Sequence, residues 1–336
     1  MKIYNIYRGF TEYGGAESVV LSIHNNLKAR RYASYIAGPD AFPALHPDYR
    51  IQKEDYLRLS PQSVGQLKDA VVFSHHRKMT TYLRLVQKIT GLRFRLIHVS
   101  HNEFHNLKPF TLFPREVIAV SGRVKENLVN YFGVAPERVK VIYNGLADGG
   151  DGSAPGRPAA AGAAPGTINI LYPGRVTRVK RQLEVFEQLA GNLKPGVQIH
   201  FAGTGNQLEE LKAATKDAGN FKTLGFVPIR ETLPAYDYVL LFSTNEGLPL
   251  TLIEGCMFGK PIICNDVGGN LEILQDGFNG MAANSFSALA RVLNSLPLPA
   301  TDAYRQLSRN ARSVFEQKFR QERMIGDYID VIERRQ

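Results

Sequence analysis

Cysteine is nearly absent. The 336-residue chain holds two, Cys256 and Cys264, too few for a disulfide scaffold and without metal-site spacing, so a reduced cytoplasm is the simplest compartment. No apolar run approaches the roughly 18–20 residues of a membrane helix. The first residues, Met1–Arg8, alternate like a short strand and lack the apolar stretch of a signal peptide, so any membrane contact is expected to be peripheral. Nor does Asp-x-Asp occur anywhere in the chain. What remains is ordinary: 44% hydrophobic and 21% charged residues, which excludes wholesale disorder, over a length that suits two domains.

Charge is unevenly spread. Residues 1–150 carry 21 basic and 12 acidic residues, a net of +9, whereas residues 151–336 carry 20 and 19, a net of +1. Seven of the eight histidines also fall in the first part. The basic half is expected to face an anionic partner.

Short β-rich runs alternate with amphipathic stretches throughout, the pattern of parallel sheets covered by helices. Strands are expected at 3–7, 32–37, 70–74, 95–100, 117–120 and 139–143, then at 168–172, 197–202, 238–242 and 261–264. Helices are expected at 16–28, 79–89, 124–131, 181–190, 207–216 and 250–258, with helical segments at 285–296 and 302–334. Residues 147–167 are dominated by Gly, Ala and Pro and read as a flexible linker. The expected organisation is a first α/β domain over 1–146, this linker, a second over 168–311, and a C-terminal helix over 312–336 that can return to the first. Two such domains with a cleft between them bind ligands beyond the carboxyl ends of their strands.

The most specific signal is the run Asn245-Glu246-Gly247-Leu248-Pro249-Leu250-Thr251-Leu252-Ile253-Glu254. Its first glutamate sits in a Gly/Pro loop after a strand and its second about one turn into the following helix, whose first amides can face an anion. A carboxylate accepts two hydroxyl hydrogen bonds, which suits a sugar ring at Glu246 and a ribose diol at Glu254; two glutamates on a loop and a helix equally suit a solvated surface. After the first strand beyond the linker, Arg175 offers a planar fork for phosphate oxygens and Lys180 a point charge near a helix start. A solvated basic helix start is the alternative. Gly203-Thr204-Gly205 follows the next strand, a turn that lets a backbone approach a nucleotide closely but is weak evidence alone.

In the first half, Tyr13-Gly14-Gly15-Ala16-Glu17 follows the first strand and opens its helix. Paired glycines there allow a tight turn and expose amides, either as a diphosphate site or as a plain strand–helix turn. His98-Val99-Ser100-His101-Asn102 ends a strand, with His101 just past the end, where a cleft would lie. A lone histidine is more often a structural hydrogen-bonder.

Jointly these features resemble the retaining glycosyltransferases of family 4, which have the GT-B fold: two Rossmann-like domains facing across a cleft, with C-terminal helices able to pack back on the first. The resemblance covers most of the chain. It implies that Glu246 and Glu254 are the family's E-x7-E pair, holding donor-sugar hydroxyls and the ribose, and that Arg175 and Lys180 hold the donor diphosphate. The amides of Leu250 and Thr251 should approach the same diphosphate, and Gly259–Ile273 looks like the stretch after the second glutamate. Gly14 and Gly15 fall on a GGxE element near donor phosphate and acceptor. A His-Ser-His-Asn-like element places His101 beside the reacting sugar and leaves His98 behind it, with Val99 in place of a small polar residue. Residues 117–121 and 141–145 also match, although the acidic residue usual soon after Asn144-Gly145 is replaced by Leu146-Ala147.

The activity this implies is transfer, with retention, of a sugar from a nucleotide diphosphate sugar, a UDP-sugar by family frequency. The acceptor would be a saccharide or lipid-linked molecule in cell-surface polysaccharide or lipopolysaccharide synthesis. No metal cofactor is expected, because Arg175, Lys180 and helix amides can replace the ion that an Asp-x-Asp motif would hold. The helix over 77–89 has apolar residues at 79, 82, 83, 86 and 89, with Arg84 and Lys88 off that face and Arg93 and Arg95 close by. It is either an ordinary sheet-covering helix or a surface for anionic lipid, at the inner face of the cell membrane, or for a phosphate-bearing glycolipid acceptor. No nucleic-acid recognition motif is present. A sugar-nucleotide epimerase or hydrolase of the same fold and a non-catalytic nucleotide-sugar-binding module are the alternatives.

Overall fold

The computed structural model describes residues 1–11, 14–149 and 166–334; Tyr13 and most of the expected linker, 150–165, lie outside the described residues. The chain divides into two compact units, Met1–Asn144 with Glu322–Gln336, and Gly145–Gln321.

In the first unit the strands are β1 (Lys2–Ile6), β2 (Ala33–Gly38), β3 (Tyr56–Arg58), β4 (Val71–Ser74), β5 (Arg95–Ser100), β6 (Glu116–Ala119) and β7 (Val139–Val141). They form one parallel sheet in the order β3-β2-β1-β4-β5-β6-β7. Its helices are α1 (Gly15–Ala29), α2 (Arg77–Thr90) and α3 (Gly122–Glu126), which widens into a π turn over Asn127–Tyr131. All four residues of β4 are buried, as a strand covered on both faces requires. Below it Tyr4, Ile6, Leu67, Val72, Leu83 and Leu96 form one apolar cluster.

In the second unit the strands are β8 (Ile168–Pro173), β9 (Val197–Ala202), β10 (Phe221–Gly225), β11 (Tyr238–Leu241), β12 (Ile262–Cys264) and β13 (Gly280–Ala282). They too are parallel, in the order β10-β9-β8-β11-β12-β13. Its helices are α4 (Gln182–Leu189), α5 (Leu208–Thr215), α6 (Ile229–Thr232), α7 (Leu250–Met257), α8 (Asn270–Ile273), α9 (Phe286–Asn294) and α10 (Asp302–Lys318). A last helix, α11 (Gln321–Glu333), belongs almost wholly to the first unit.

Both sheets share the doubly wound order in which the winding direction reverses once, between β1 and β4 and between β8 and β11. Just beyond the carboxyl ends of those strands the diverging connections leave a crevice. Gly14 and His75 follow β1 and β4, and Arg175 and Glu246 follow β8 and β11. The topology itself therefore selects the residues that can meet a ligand.

Two sequence expectations need correction. Strands β3, β10 and β13 were not anticipated; each is a sheet edge of three to five residues, where half the ladder is missing and little apolar alternation is needed. The C-terminal helix expected over 312–336 is in fact the end of α10, which stays with the second unit, followed by α11. The break is a backbone pairing: the Leu146 amide donates to the Phe319 carbonyl at 2.9 Å and the Gln321 amide to the Leu146 carbonyl at 3.0 Å. With the Gln321 amide and the Phe319 carbonyl both bonded to Leu146, the helical ladder is interrupted there.

The return of α11 is well anchored. Met324, Ile325, Tyr328, Val331 and Ile332 are buried at helical spacing, with the Tyr328 ring edge-on to Phe73 at 5.4 Å. Lys140 pairs with Asp327 at 3.2 Å. Arg95 binds Glu116 through Nε and Nη2 and donates from Nη1 to the carbonyls of Ile332 and Arg334.

Candidate functional site

In the second unit, the loop after β8 is held to the end of β11 by one buried side chain. The Tyr172 hydroxyl donates to the Lys180 carbonyl and accepts the Phe242 amide at 2.9 Å. The Thr244 amide adds a bond to the Val179 carbonyl at 2.9 Å. This clamp sets Lys180 beside Glu246, with Nζ 2.6 Å from Oε1. The Glu246 side chain is 8% exposed and that of Lys180 20%, so the pair sits in a partly desolvated place where charge interactions are strong. Arg175 stands exposed on the same loop.

Three glycines shape this cluster of loops by close backbone approach. A Cβ on Gly203 would lie 1.9 Å from the Gly174 carbonyl oxygen, and one on Gly205 would lie 2.2 Å from that of Val176. Gly268, at φ +54°, would place a Cβ 1.9 Å from the Glu246 carbonyl oxygen. The Gly-x-Gly turn expected to admit a nucleotide is thus first of all an interlock with the Arg175 loop, tied by Gly174 to Ala202 and Val176 to Thr204 hydrogen bonds. Gly268 does the same beneath Glu246, which explains the first glycine of the pair in the stretch after the second glutamate.

Helix α7 starts at Pro249, with no side chain capping it and no acidic residue in its first turn. The amides of Leu250 and Thr251 therefore open a helix whose positive end is not neutralised locally. The Thr251 hydroxyl oxygen is buried with no hydrogen-bond partner. One turn on, burial pushes the Glu254 carboxyl up to about 7, with Arg230 pulling it partly back. Leu252, Ile253, Cys256 and Met257 pack the other face.

One exposed side chain was missed in the sequence. Phe226 is 66% exposed immediately after β10, whose last carbonyl, on Gly225, accepts the Gly203 amide at 2.7 Å. Its place beside the Gly-x-Gly turn was hidden because β10 was hidden; the signal was an aromatic residue between a glycine and a proline-bearing loop.

In the first unit the glycine turn has an occupant of its own. Gly14 is the N-cap of α1, its amide donates to the Tyr49 hydroxyl at 3.0 Å, and the Glu17 carboxylate lies 2.4 Å from where a Gly14 Cβ would be. Glu17, the third residue of α1, thus brings its carboxylate close to the N-cap residue, whose amide is bonded to Tyr49. A carboxylate therefore stands near the start of α1, where a diphosphate at Gly14 and Gly15 would meet it.

The histidines gather at the carboxyl ends of β4 and β5. His101 Nε2 lies 3.0 Å from His75 Nδ1, the rings inclined by 28° with centroids 5.2 Å apart. His75 is 3% exposed, and its Nε2 is buried without a partner. His98 is buried in the sheet, bound through Nδ1 to Thr80 Oγ1 at 2.7 Å. Burial lowers all of these imidazoles, His101 and His76 to about 4, His98 to about 3 and His75 well below its usual value. They are neutral near pH 7 and act as hydrogen-bonding groups, not as cations. His75 and His76 went unnoticed in the sequence, where a His-His pair after an apolar run was the available signal.

The basic helix is less uniform than its sequence. Arg77 is buried, donating to the Asn106 carbonyl at 2.6 Å and stacked over Phe104 at 4.4 Å; it fixes the loop after β5. Arg95 is spent on Glu116 and α11. Ile89, assigned to the packed face, is 80% exposed, and Leu85 is 43% exposed. Arg84, Lys88 and Arg93 do line one concavity of about 720 Å³, together with Arg334.

Residues 13–148 match the model of glycosyltransferase family 4, and residues 158–314 match that of glycosyl transferases group 1. The chain is 34% identical over 108 residues to the O-antigen biosynthesis glycosyltransferase WbnH of Escherichia coli, covering 32% of this chain and 31% of that one. It is 27% identical over 201 residues to the lipopolysaccharide 1,6-galactosyltransferase of Escherichia coli strain K12, covering 56% and 51%. It thus spans about a third to a half of the length of these curated relatives. The crystal structure of Anabaena Alr3699/HepE in complex with UDP superposes over 99% of each chain with a TM-score of 0.82 at 20% identity, a likeness of fold. The chain is thus similar to the glycosyltransferases along two successive segments, the family 4 model matching the first and the group 1 model the second, on the GT-B fold.

Proposed function

We propose that this chain transfers a sugar from a UDP-sugar to a saccharide or glycolipid acceptor in the building of cell-surface polysaccharide or lipopolysaccharide, with retention of anomeric configuration and without a metal ion. The observation that carries the reading is the Lys180–Glu246 pair at the reversal point of the second sheet, beside the uncapped start of α7. The names of the Escherichia coli relatives and the UDP held by the Anabaena structure support the acceptor and donor classes. Glu246 takes hydroxyls of the donor sugar and Glu254 the ribose diol. Arg175, Lys180 and the amides of Leu250 and Thr251 take the diphosphate, Phe226 offers a flat surface to the base, and His101 meets the sugar.

In the step itself, the bond from the anomeric carbon to the diphosphate oxygen breaks while the acceptor oxygen bonds to that carbon on the same face. The acceptor proton passes to the departing phosphate oxygen. Charge grows on the diphosphate, and preorganised cations and amides stabilise it more in the transition state than in the ground state. Glu246 and Glu254 are both occupied with binding, so neither serves as a nucleophile. The test is UDP release from a panel of UDP-sugars, with and without saccharide acceptors, in excess EDTA. Acceptor-dependent release that EDTA leaves unchanged is expected; activity abolished by EDTA and restored by Mn²⁺ overturns the metal-free reading, and release without any acceptor overturns the transfer.

Glu254 makes donor affinity pH-dependent. The ribose diol donates to a carboxylate, so the ionised form binds and the protonated form does not. With the free carboxyl near 7, affinity for UDP-glucose, whose diphosphate does not titrate near neutrality, rises as pH goes from 6 to 8. The rise approaches about tenfold per unit below the midpoint, with a proton released on binding. Calorimetry in buffers of different ionisation enthalpy reads that proton; a flat profile identical to that of Glu254→Gln removes Glu254 from the ribose.

The reading extends to peripheral contact with an anionic membrane through the first unit, where α2 exposes Leu85 and Ile89 beside Lys88. Among the described residues no helix is long and apolar enough to cross a membrane. Sedimentation with vesicles rich in anionic lipid is expected at low salt, and to be lost at about 1 M salt, where screening shortens to about 3 Å, or with Lys88→Glu. No binding at low salt favours an acceptor met in solution.

A further inference from the structure

We propose that His75 is a positioning residue: its buried ring, hydrogen-bonded to His101, selects the tautomer and orientation in which His101 meets the sugar. The inference rests on the placement of His101 beside the donor given above.

The two histidines come from neighbouring strands. In the parallel register Ser74 of β4 pairs with His98 of β5, and the chain leaves the sheet at His75 and at His101. His75 is tied down at its backbone, where its amide donates to the Ile6 carbonyl at 2.8 Å. Its ring lies near Phe73 and stacks on His101, so the His75 side chain has one hydrogen-bonding partner among the described residues, His101 Nε2 at 3.0 Å.

Two neutral imidazoles joined by one bond can share it in two ways. If His101 Nε2 donates, His75 accepts at Nδ1 and must carry its proton on Nε2, which leaves a buried N–H with nothing to bind. If His75 Nδ1 donates, its Nε2 is a bare lone pair, also without a partner. In the backbone, buried N–H groups left unpaired are rarer than under-satisfied acceptors; by the same ordering we take the second arrangement for the pair. His101 then accepts at Nε2 and bears its proton on Nδ1, and it presents that N–H as a donor. Lowered imidazole pKa values keep both rings neutral across the working range, which holds the arrangement in place.

A donor at this position suits a hydroxyl oxygen of the sugar and excludes His101 from acting there as a general base. His75 does nothing to the substrate directly. It keeps the His101 ring turned and protonated on the correct nitrogen, as a carboxylate or carbonyl does for many functional histidines.

The test uses the full chain labelled with ¹⁵N-histidine and read by long-range ¹H–¹⁵N correlation at neutral pH, alongside steady-state transfer. The wild-type spectrum is expected to show His101 protonated on Nδ1 and accepting at Nε2. His75→Asn keeps an N–H donor where Nδ1 stood, so tautomer and kcat are expected within about threefold of wild type. His75→Phe removes the donor; His101 then shifts toward the other tautomer and kcat falls about tenfold or more, with KM for the UDP-sugar nearly unchanged. His101 protonated on Nε2 in the wild type, or equal kcat for the Asn and Phe variants, overturns the inference, and the wild-type spectrum decides even if His75→Phe does not fold. Should the tautomer respond as expected while His101→Ala transfers at the wild-type rate, the placement of His101 beside the sugar fails and the pairing with His75 stands.

Discussion

Glu246→Gln is expected to lower kcat for sugar transfer about a hundredfold or more while leaving UDP affinity within about threefold. The amide keeps the shape of the side chain but loses the charge that strengthens hydroxyl hydrogen bonds as the sugar flattens and becomes electron-poor. UDP affinity should not fall, because Lys180 is engaged with Glu246 at 2.6 Å in the unliganded protein. Removing the carboxylate charge frees that ammonium for the diphosphate. Turnover and fluorescence or calorimetric titration of UDP separate the two effects. A variant that transfers at the wild-type rate, or that loses UDP binding in parallel with turnover, removes Glu246 from the donor sugar.

Lys180→Met should be as damaging to kcat, about 10²–10³-fold, since one preorganised charge aimed at the leaving diphosphate is lost. It carries a second signature, in stability. The Glu246 side chain is 8% exposed, and without Lys180 its charge is stranded. Breaking a buried pair from one side costs about 3–5 kcal/mol; partial solvent access at Lys180 places this pair at or below the lower end of that range. The double variant Lys180→Met with Glu246→Gln removes the stranded charge and is expected to be more stable than Lys180→Met alone, a coupling that a denaturation cycle measures directly. Additive losses would mean that the two side chains do not interact in solution.

At the glycine turn of α1 the folded chain adds a group that the local pattern does not show. Two glycines at a helix start look like a phosphate cradle, and the same pattern in the second unit does sit by Arg175. Only the folded chain shows that Glu17 covers Gly14, and that Gly203 and Gly205 are small because another loop's carbonyls press against them. A missing side chain is visible in a sequence, but what fills the space is not.

By itself the sequence determined the class of fold and where the candidate ligand-binding residues of the second unit stand. Continuous apolar strands alternating with amphipathic helices leave little choice but covered parallel sheets, and Arg175, Lys180, Glu246 and Glu254 stand on local strand–loop–helix units whose geometry follows from the chain nearby. Tertiary structure decided the rest. Edge strands β3, β10 and β13 owe their form to a neighbour's hydrogen bonds, and α10 is cut from α11 by pairing with Leu146, far away in sequence. His75 meets His101, Lys180 meets Glu246, and Arg77 is buried under Phe104 because a parallel sheet brings separate strand ends together. Local propensity is written in consecutive residues; partnership across a sheet is set by register and burial, which exist only once the chain has folded.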